Sequence, residues 1–228
     1  MPNDKKLDFF QKIAERNYAE AFDILGEDFI PPVQAAATWG LKYNYMQLAC
    51  LGTLVPVRGV LEWARDNNCM VVPGPPCKLN LADIRKLNVG TLYGGLPAWY
   101  EDPAEQFSRS DKVKSGWLVI RKGWVPDSTN KSWSEQLATL GHFEDVLNAA
   151  EAVWAFDTYY KALGEYPFSD IAYVRTSSVY SGGGHVYVGC HWDVAGTVII
   201  GDSDGTRRSF IGLASLYRFD SLYKSELI

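Results

Sequence analysis

The chain has 228 residues, of which 47% are hydrophobic and 14% aromatic, with 22 basic and 27 acidic side chains and a net charge of -5. This is the composition of a globular protein with enough aromatic residues for a binding surface as well as a core. A negative net charge without a long run of Lys or Arg argues against a nucleic-acid backbone as the main partner.

The sequence carries no recognisable targeting signal. No stretch is long and apolar enough to span a membrane, and the first residues, MPNDKKLDFFQK, lack the apolar segment of a signal peptide. We therefore expect synthesis in a cytosol and no direct insertion into a membrane. Display on a virion or a cell surface would then require attachment through another protein.

No CxxC pair connects the four cysteines, which are Cys50, Cys69, Cys77 and Cys190. Free thiols are therefore expected. Cys190 precedes His191, but neighbours on a strand point to opposite faces and could not both bind a metal without a bulge. The acidic residues Asp193, Asp202 and Asp204 lack a nearby Glu or Asn to complete a calcium site. We expect neither a metal nor a cofactor.

The first third of the chain has a helical pattern. Apolar residues at helical spacing predict a helix from Leu7 to Leu25, which Gly26 ends. Pro31 and Pro32 open a second helical stretch over 33–51, and a third is expected over 57–67. The segment VVPGPPC then interrupts the pattern, and a last short helix is expected over 81–87. Residues 1–90 are thus interpreted as a mostly helical region of unknown role.

Strand-like segments begin near residue 91. GTLYGGLPAWYE and GWLVIRKGWVP are short β-branched and aromatic runs bounded by Gly and Pro. A helix is expected over 132–140, because Ser132 and Glu135 have the spacing of a capping box, and another over 143–163, ended by Gly164. The segments that follow predict strands and turns: IAYVRTSSVY, SGGG, HVYVG, GTVII and IGLASLYRF. We therefore predict an α+β fold with two helices against small, mostly antiparallel sheets.

The residue types used near the C-terminus are restricted. Between Tyr166 and Tyr223 there is no Lys, Glu, Gln or Met, although the rest of the chain holds 12 Lys, 11 Glu, 5 Gln and 3 Met. None of these four types can be reached from an asparagine codon by changing only its two adenines. Almost all the types present can be reached in that way, and Trp192 is the exception within the segment 185–210. Strand composition is the alternative explanation, because strands and turns also deplete Lys, Glu and Gln.

Residues 91–228 resemble the C-type lectin fold of the variable proteins of diversity-generating retroelements, a group related in fold to formylglycine-generating enzymes. The resemblance rests on GWLVIRKGWVPDSTNKSWSEQ, on YVRTS at 173–177 and on IGLASLYRF at 211–219. In such families a reverse transcriptase copies a template repeat with errors at adenines, and the copy replaces the end of the gene. The resemblance implies a C-type lectin-like domain over 91–228 with a variable region at about 180–219.

The resemblance also assigns roles to individual residues. Those assigned to the variable, ligand-binding set are Tyr187, Cys190, His191, Asp193, Ala195, Thr197, Ile199, Ile200, Gly201, Ser203, Gly205, Thr206, Arg208, Ser209 and Phe210. Those assigned to the constant scaffold are Val186, Val188, Trp192, Gly196, Val198 and Arg207.

Strand alternation predicts which of these side chains are exposed. Val186, Val188 and Val198 should be buried, whereas Tyr187, Thr197 and Ile199 should face outward. Gly196 is expected in a turn, and Arg207 is expected to tie a loop to Asp202 or Asp204. Ile199 and Ile200 are equally consistent with core strand positions, and His185 and His191 with surface or packing roles.

Several functions remain open at this point. The resemblance favours a non-enzymatic protein that recognises a protein ligand on a host or neighbouring cell through a hypervariable surface, with paratope-like chemistry. An enzyme of the same fold is the alternative, although formylglycine-generating enzymes use a pair of cysteines and Cys190 is the only one in this region. A phosphate site at SGGG, and an invariant virion or structural component, are further alternatives. No catalytic residue is assigned.

Overall fold

The computed structural model describes residues 2–87, 92–93, 98–168, 172–191 and 194–217. Within them the fold is α+β, as expected, with eight α-helices and three small sheets. The helices are α1 (Pro2–Leu25), α2 (Pro32–Trp39), α3 (Tyr45–Thr53), α4 (Arg58–Asp66), α5 (Leu81–Leu87), α6 (Phe107–Ser110), α7 (Trp133–Leu137) and α8 (Ala149–Leu163). The strands are β1 (Cys69–Pro73), β2 (Leu79–Asn80), β3 (Leu92–Tyr93), β4 (Lys112–Val113), β5 (Trp117–Arg121), β6 (Glu144–Asp145), β7 (Ala172–Val179), β8 (His185–His191), β9 (Val194–Gly201), β10 (Ile211–Leu213) and β11 (Leu216–Tyr217).

The N-terminal region differs from the sequence prediction at one break between helices and in two strands, β1 and β2. The continuous helix predicted over 33–51 is wrong, because Gly40 ends α2 with a left-handed φ of 64° and Asn44 starts α3 with a capping box to Gln47. The prolines of VVPGPPC mark the end of a buried strand, β1, which the sequence pattern did not reveal. Pro73 is the last residue of β1, a position where its missing N–H costs no ladder bond.

The two helices predicted after residue 130 are both present. The backbone N–H of Ser132 donates to the Glu135 carboxylate at 2.8 Å at the start of α7, which confirms the capping box. Helix α8 ends at Gly164, as predicted, with a φ of 83°. It begins at Ala149 rather than at residue 143, because Asn148 caps it and residues 144–145 form β6.

The strands form one four-stranded sheet in the order β1-β5-β11-β6, one five-stranded sheet in the order β10-β7-β8-β9-β3, and the pair β2-β4. The four-stranded sheet and the pair are antiparallel throughout. In the five-stranded sheet β7, β8 and β9 are antiparallel, and the edge strands β10 and β3 are parallel to their neighbours. The expectation of mostly antiparallel sheets is confirmed.

Helix α8 connects the two large sheets through the main core. Ten of its residues are buried, and Trp154 packs in the same cluster as Val72 of β1 and Val188 of β8. The indole N–H of Trp154 donates to Pro73 O at 2.9 Å, so this large buried side chain is also satisfied as a donor. A helix that is buried on almost every side needs apolar or small residues all around, and the sequence of α8 supplies them.

The first 90 residues contribute to both large cores. Ile30 and Trp39 belong to the cluster around α8, and the rings of Trp39 and Trp154 stack at 4.8 Å. A second cluster joins Ala21 and Leu51 of the N-terminal helices to Val119 of β5. The boundary drawn at residue 90 in the sequence therefore does not separate these cores.

Replacing Val188 by Ala should lower the free energy of unfolding by about 2–3 kcal/mol, because the side chain is fully buried between the sheet and α8. The matched surface changes Ser203→Ala and Ser209→Ala, both at exposed positions, should change it by less than about 0.5 kcal/mol. Urea denaturation followed by circular dichroism measures both, and similar losses in the two groups would contradict this assignment of the core.

Candidate ligand-binding surface

The five-stranded sheet has an inner face toward α8 and an outer face. Directly opposite residues of an antiparallel pair share a face. Val188 lies opposite Ile199, on the inner face, and Tyr187 lies opposite Ile200, on the outer face. Even-numbered residues of β8 therefore share a face with odd-numbered residues of β9.

This register corrects the predicted alternation on β9. Val198 was expected to be buried beside Val186 and Val188, but it is partly buried on the outer face, opposite Gly189. Thr197 and Ile199 were expected to face outward, but both are buried on the inner face. Gly196 lies inside β9 and not in a turn.

Four members of the predicted ligand-binding set are buried and cannot be displayed as expected: Tyr187, Cys190, Thr197 and Ile199. Cys190 and Thr197 lie opposite each other above α8, and the hydroxyl of Thr197 donates to Asp157 of that helix. Tyr187, only 2% exposed, is covered on the outer face by the connection between β9 and β10. Val186 and Val188 are buried, as predicted.

The remaining members fall into three groups. Outside the described residues lie Trp192 and Asp193 and the side chains of His191 and Ala195. Gly201 and Thr206 are partly buried. The exposed members are Ile200, Ser203, Gly205, Arg208, Ser209 and Phe210, to which the predicted scaffold residue Arg207 must be added. All but Ile200 lie in the segment 202–210, which we call the display loop.

The display loop is attached to the scaffold through its own carbonyl oxygens. Five of them accept hydrogen bonds from groups outside the loop: Ser203 O from Tyr187 Oη (3.5 Å), Asp204 O from Trp133 N (2.9 Å), Thr206 O from Arg175 Nη2 (2.9 Å), Arg208 O from Asn130 N (2.8 Å) and Phe210 O from Tyr173 N (3.0 Å). Every residue type has a backbone carbonyl. These five contacts thus do not depend on which side chains the loop carries.

A buried arginine on β7 donates a hydrogen bond to the loop. Arg175 is fully buried on the outer face and donates from Nη2 to Tyr187 Oη at 2.7 Å as well as to the loop. Its guanidinium lies 4.8 Å from the centre of the Tyr187 ring, in cation–π geometry. Within the described part of the chain, Nε and Nη1 have no hydrogen-bond partner. Burial raises the pKa of Tyr187, so its hydroxyl stays protonated and can pass the hydrogen bond on to the loop.

Asp204 is the second attachment point of the loop. Its carboxylate accepts the backbone N–H of His185 at 2.9 Å and lies 2.7 Å from Nδ1 of the same residue. The imidazole of His185 stacks on Trp133 with ring centres 3.6 Å apart. His185 therefore has the packing role that the sequence left open, between α7 and the loop.

Arg207 has a different partner from the one predicted. Its guanidinium contacts Glu135 at 2.5 Å and 2.9 Å, and no ion pair joins it to Asp202 or Asp204. The physical reason is that Asp204 is already engaged by His185, whereas Glu135 is held in place by the capping box of α7. The hydrogen bonds from Ser132 and Arg207 lower the pKa of Glu135 to about 2.

The turn SGGG does not have the geometry of a phosphate site. It connects the antiparallel strands β7 and β8, with Tyr180 N donating to Gly184 O at 3.1 Å, which confirms the predicted hairpin. The carboxylate of Glu105 already accepts both the N–H and the hydroxyl of Ser181. An anion at this turn would meet that carboxylate.

Some groups that shape the surface were not found from the sequence. Arg175, Trp133 and His185 act together only because β7, α7 and β8 meet under the loop. The one available signal was an arginine inside the apolar run IAYVRTSSVY. Across the described part of the chain, no group of three or more His, Cys, Asp or Glu side chains could hold a metal ion. None of the helices described has both the length and the apolar character needed to cross a membrane.

Comparison with known proteins gave no match to a protein-family model, to a curated protein or to a solved structure. A function is therefore inferred from the sequence pattern and from the geometry of the display loop.

Replacing Arg175 by Met should loosen the display loop without unfolding the protein. The change removes the bonds to Thr206 O and Tyr187 Oη, so amides of residues 203–208 should exchange about fivefold faster or more. The free energy of unfolding should stay within about 1 kcal/mol or rise, because a buried cation with unpaired donors is replaced by an apolar side chain. Hydrogen exchange and urea denaturation measure the two effects.

The matched control is Arg109→Met, at an exposed arginine whose guanidinium donates to the carbonyls of Glu101 and Asp102 and, among the described residues, makes no contact with the loop. It should leave loop exchange unchanged. A large loss of global stability in Arg175→Met with normal loop exchange would contradict a local role for Arg175.

Acid should weaken the contact between α7 and the loop. The pKa of Glu135 is lowered from 4.5 to about 2, so its carboxylate contributes stability above pH 4.5 that is lost as the pH falls through about 2. The stability difference between the wild type and Glu135→Gln should therefore be largest near neutral pH and shrink toward pH 2. Urea midpoints at a series of pH values measure it, and a difference that is independent of pH would show that the carboxylate charge is not used.

Proposed function

We propose that this chain is a non-enzymatic ligand-binding protein whose display loop is a hypervariable surface generated by a diversity-generating retroelement. Residues from about 91 onward then form a C-type lectin-like domain, with the N-terminal helices completing its cores. The partner is a protein on a host or neighbouring cell. The chain itself reaches that partner through attachment to a virion or cell surface by another protein.

The observation that carries this proposal is the attachment of the display loop by backbone atoms. A surface that accepts many side chains must keep its shape when they change, and five carbonyl bonds to the scaffold provide that independence. The side chains at the exposed positions are of types that adenine changes in an asparagine codon can produce. These two properties coincide in the same segment.

Burial divides the candidate positions into two classes. Exposed residues of the display loop, with Ile200 at its edge, can bind a ligand, and their replacement leaves the core untouched. Tyr187, Cys190, Thr197 and Ile199 serve the scaffold, and strand composition accounts for the types of Tyr187, Thr197 and Ile199. The ligand-binding set proposed for the described residues is Ile200, Ser203, Gly205, Arg208, Ser209 and Phe210.

The gene's own DNA provides the sharpest test. We expect a near-copy of the end of the gene close downstream, beside a reverse-transcriptase gene. In that copy the codons matching the proposed ligand-binding set should read AAC or AAT. Finding neither the near-copy nor the reverse transcriptase would contradict the proposal.

A binding experiment tests the surface directly. Replacing Ile200, Arg208 and Phe210 together by Ser should abolish capture of the protein that the wild type retains from host surface extracts, because aromatic and Arg side chains dominate interface energetics. Circular dichroism should show an unchanged fold, since all three side chains are exposed.

The matched control replaces Val57, Arg65 and Phe9 by Ser. These residues are also exposed and of similar types, but they lie on the N-terminal helices or at their ends. Capture should be retained. Retention of capture in the loop variant would show that binding does not use the display loop, and loss of capture in the control would show that the effect is not specific to the loop.

A further inference from the structure

The charged side chains of the display loop differ in whether another group of the protein pairs with them. Asp204 is engaged by His185, and Arg207 by Glu135. Asp202 accepts the backbone N–H of Ser203 at 2.7 Å. Arg208 is the fourth charged residue, and the described residues provide no partner for its guanidinium.

Arg208 is unusual among the arginines of this chain. Nine arginines lie in the described residues, and the other eight each donate to an acidic group, a carbonyl, a side-chain amide or a hydroxyl of the chain. An arginine whose guanidinium already pairs within the protein has fewer N–H donors free to bind a ligand. Arg208 is exposed and keeps all five N–H donors available.

The backbone holds Arg208 in place although no described residue pairs with its side chain. Its carbonyl oxygen accepts from Asn130 N at 2.8 Å and from Ile211 N at 3.3 Å. An anchor fixed before binding loses less conformational entropy when a ligand binds.

Phe210 gives the same region an apolar contact. It is 40% exposed, its carbonyl oxygen accepts from Tyr173 N at 3.0 Å, and its ring lies 6.1 Å from the Tyr173 ring. Two residues separate by at most about 7 Å along an extended chain, so a ligand can contact Arg208 and Phe210 together.

We propose that the display loop recognises a carboxylate beside an apolar side chain on a protein ligand. The guanidinium of Arg208 pairs with the carboxylate, in the bidentate geometry that arginine favours, and Phe210 packs against the apolar group. The net charge of -5 repels acidic partners at long range, so recognition depends on this local contact. This inference rests on the proposed function and names the chemistry of its ligand.

A phage-displayed library of random linear peptides, selected on the immobilised full chain, tests the inference. Clones whose binding is lost on Ser203→Trp or Ser209→Trp depend on the loop, since these bulky side chains obstruct it and replace neither anchor. The loop-dependent clones should be enriched in Asp or Glu beside an apolar residue. For one synthetic peptide, Arg208→Glu should raise Kd by about tenfold or more.

Charge exchange provides the control for specificity. Replacing the acidic residue of that peptide by Lys should restore binding to Arg208→Glu. Arg65→Glu makes the same change in net charge at an exposed site on α4, and should leave Kd unchanged. Should Arg208→Glu fail to fold by circular dichroism, Arg208→Gln should show the same loss of affinity.

The outcomes distinguish the inference from the function on which it rests. Loop-dependent peptides without acidic residues, or with a Kd insensitive to Arg208→Glu, would overturn the carboxylate inference and leave the proposed function standing. Recovering no loop-dependent peptide would overturn both.

Discussion

The buried guanidinium of Arg175 is the contact on which the display loop depends. It connects β7, the hydroxyl of Tyr187 on β8 and the carbonyl of Thr206 in the loop. A buried cation with two unpaired nitrogens is costly, and a well-packed apolar side chain would serve stability better. The hydrogen bond that Arg175 donates to Thr206 O instead helps to fix the loop. Arg175 thus favours a defined loop conformation at some expense of global stability.

The other attachments follow the same logic. A neutral hydrogen bond contributes only about 0.5–1.5 kcal/mol, so no single carbonyl bond fixes the loop. Five bonds spread along residues 203–210, with the contacts of Asp204 and Arg207, leave few alternative paths for the backbone. The donors lie on β7, on β8 and in the segment around α7. The loop is therefore fixed to a sheet and to a capped helix. Apart from Arg207, the exposed side chains of the loop make none of these attachments.

Local signals in the sequence predicted local structure well. Ser132 with Glu135, Gly164 and the SGGG hairpin each gave the correct end or turn, because caps and turns depend on a few neighbouring residues. The inward and outward faces of β9 were assigned wrongly, since the pattern of each strand was read by itself. The pairing of β8 with β9 decides which faces match, and a shift of one residue exchanges them. Arg175 could not be interpreted from sequence, because its partners lie on two other elements.

Burial also limits how a hypervariable region could be built on this scaffold. Codon-accessible residue types occur both at exposed loop positions and at buried ones such as Tyr187 and Thr197. Thr197 donates to the buried Asp157 of α8, and most replacements there would leave that carboxylate without this hydrogen bond. Changing Tyr187 would remove one of the two hydrogen-bond acceptors of Arg175. Random change at these positions would disturb the core or the support of the loop, so diversity compatible with this fold would be concentrated at the exposed positions of the loop.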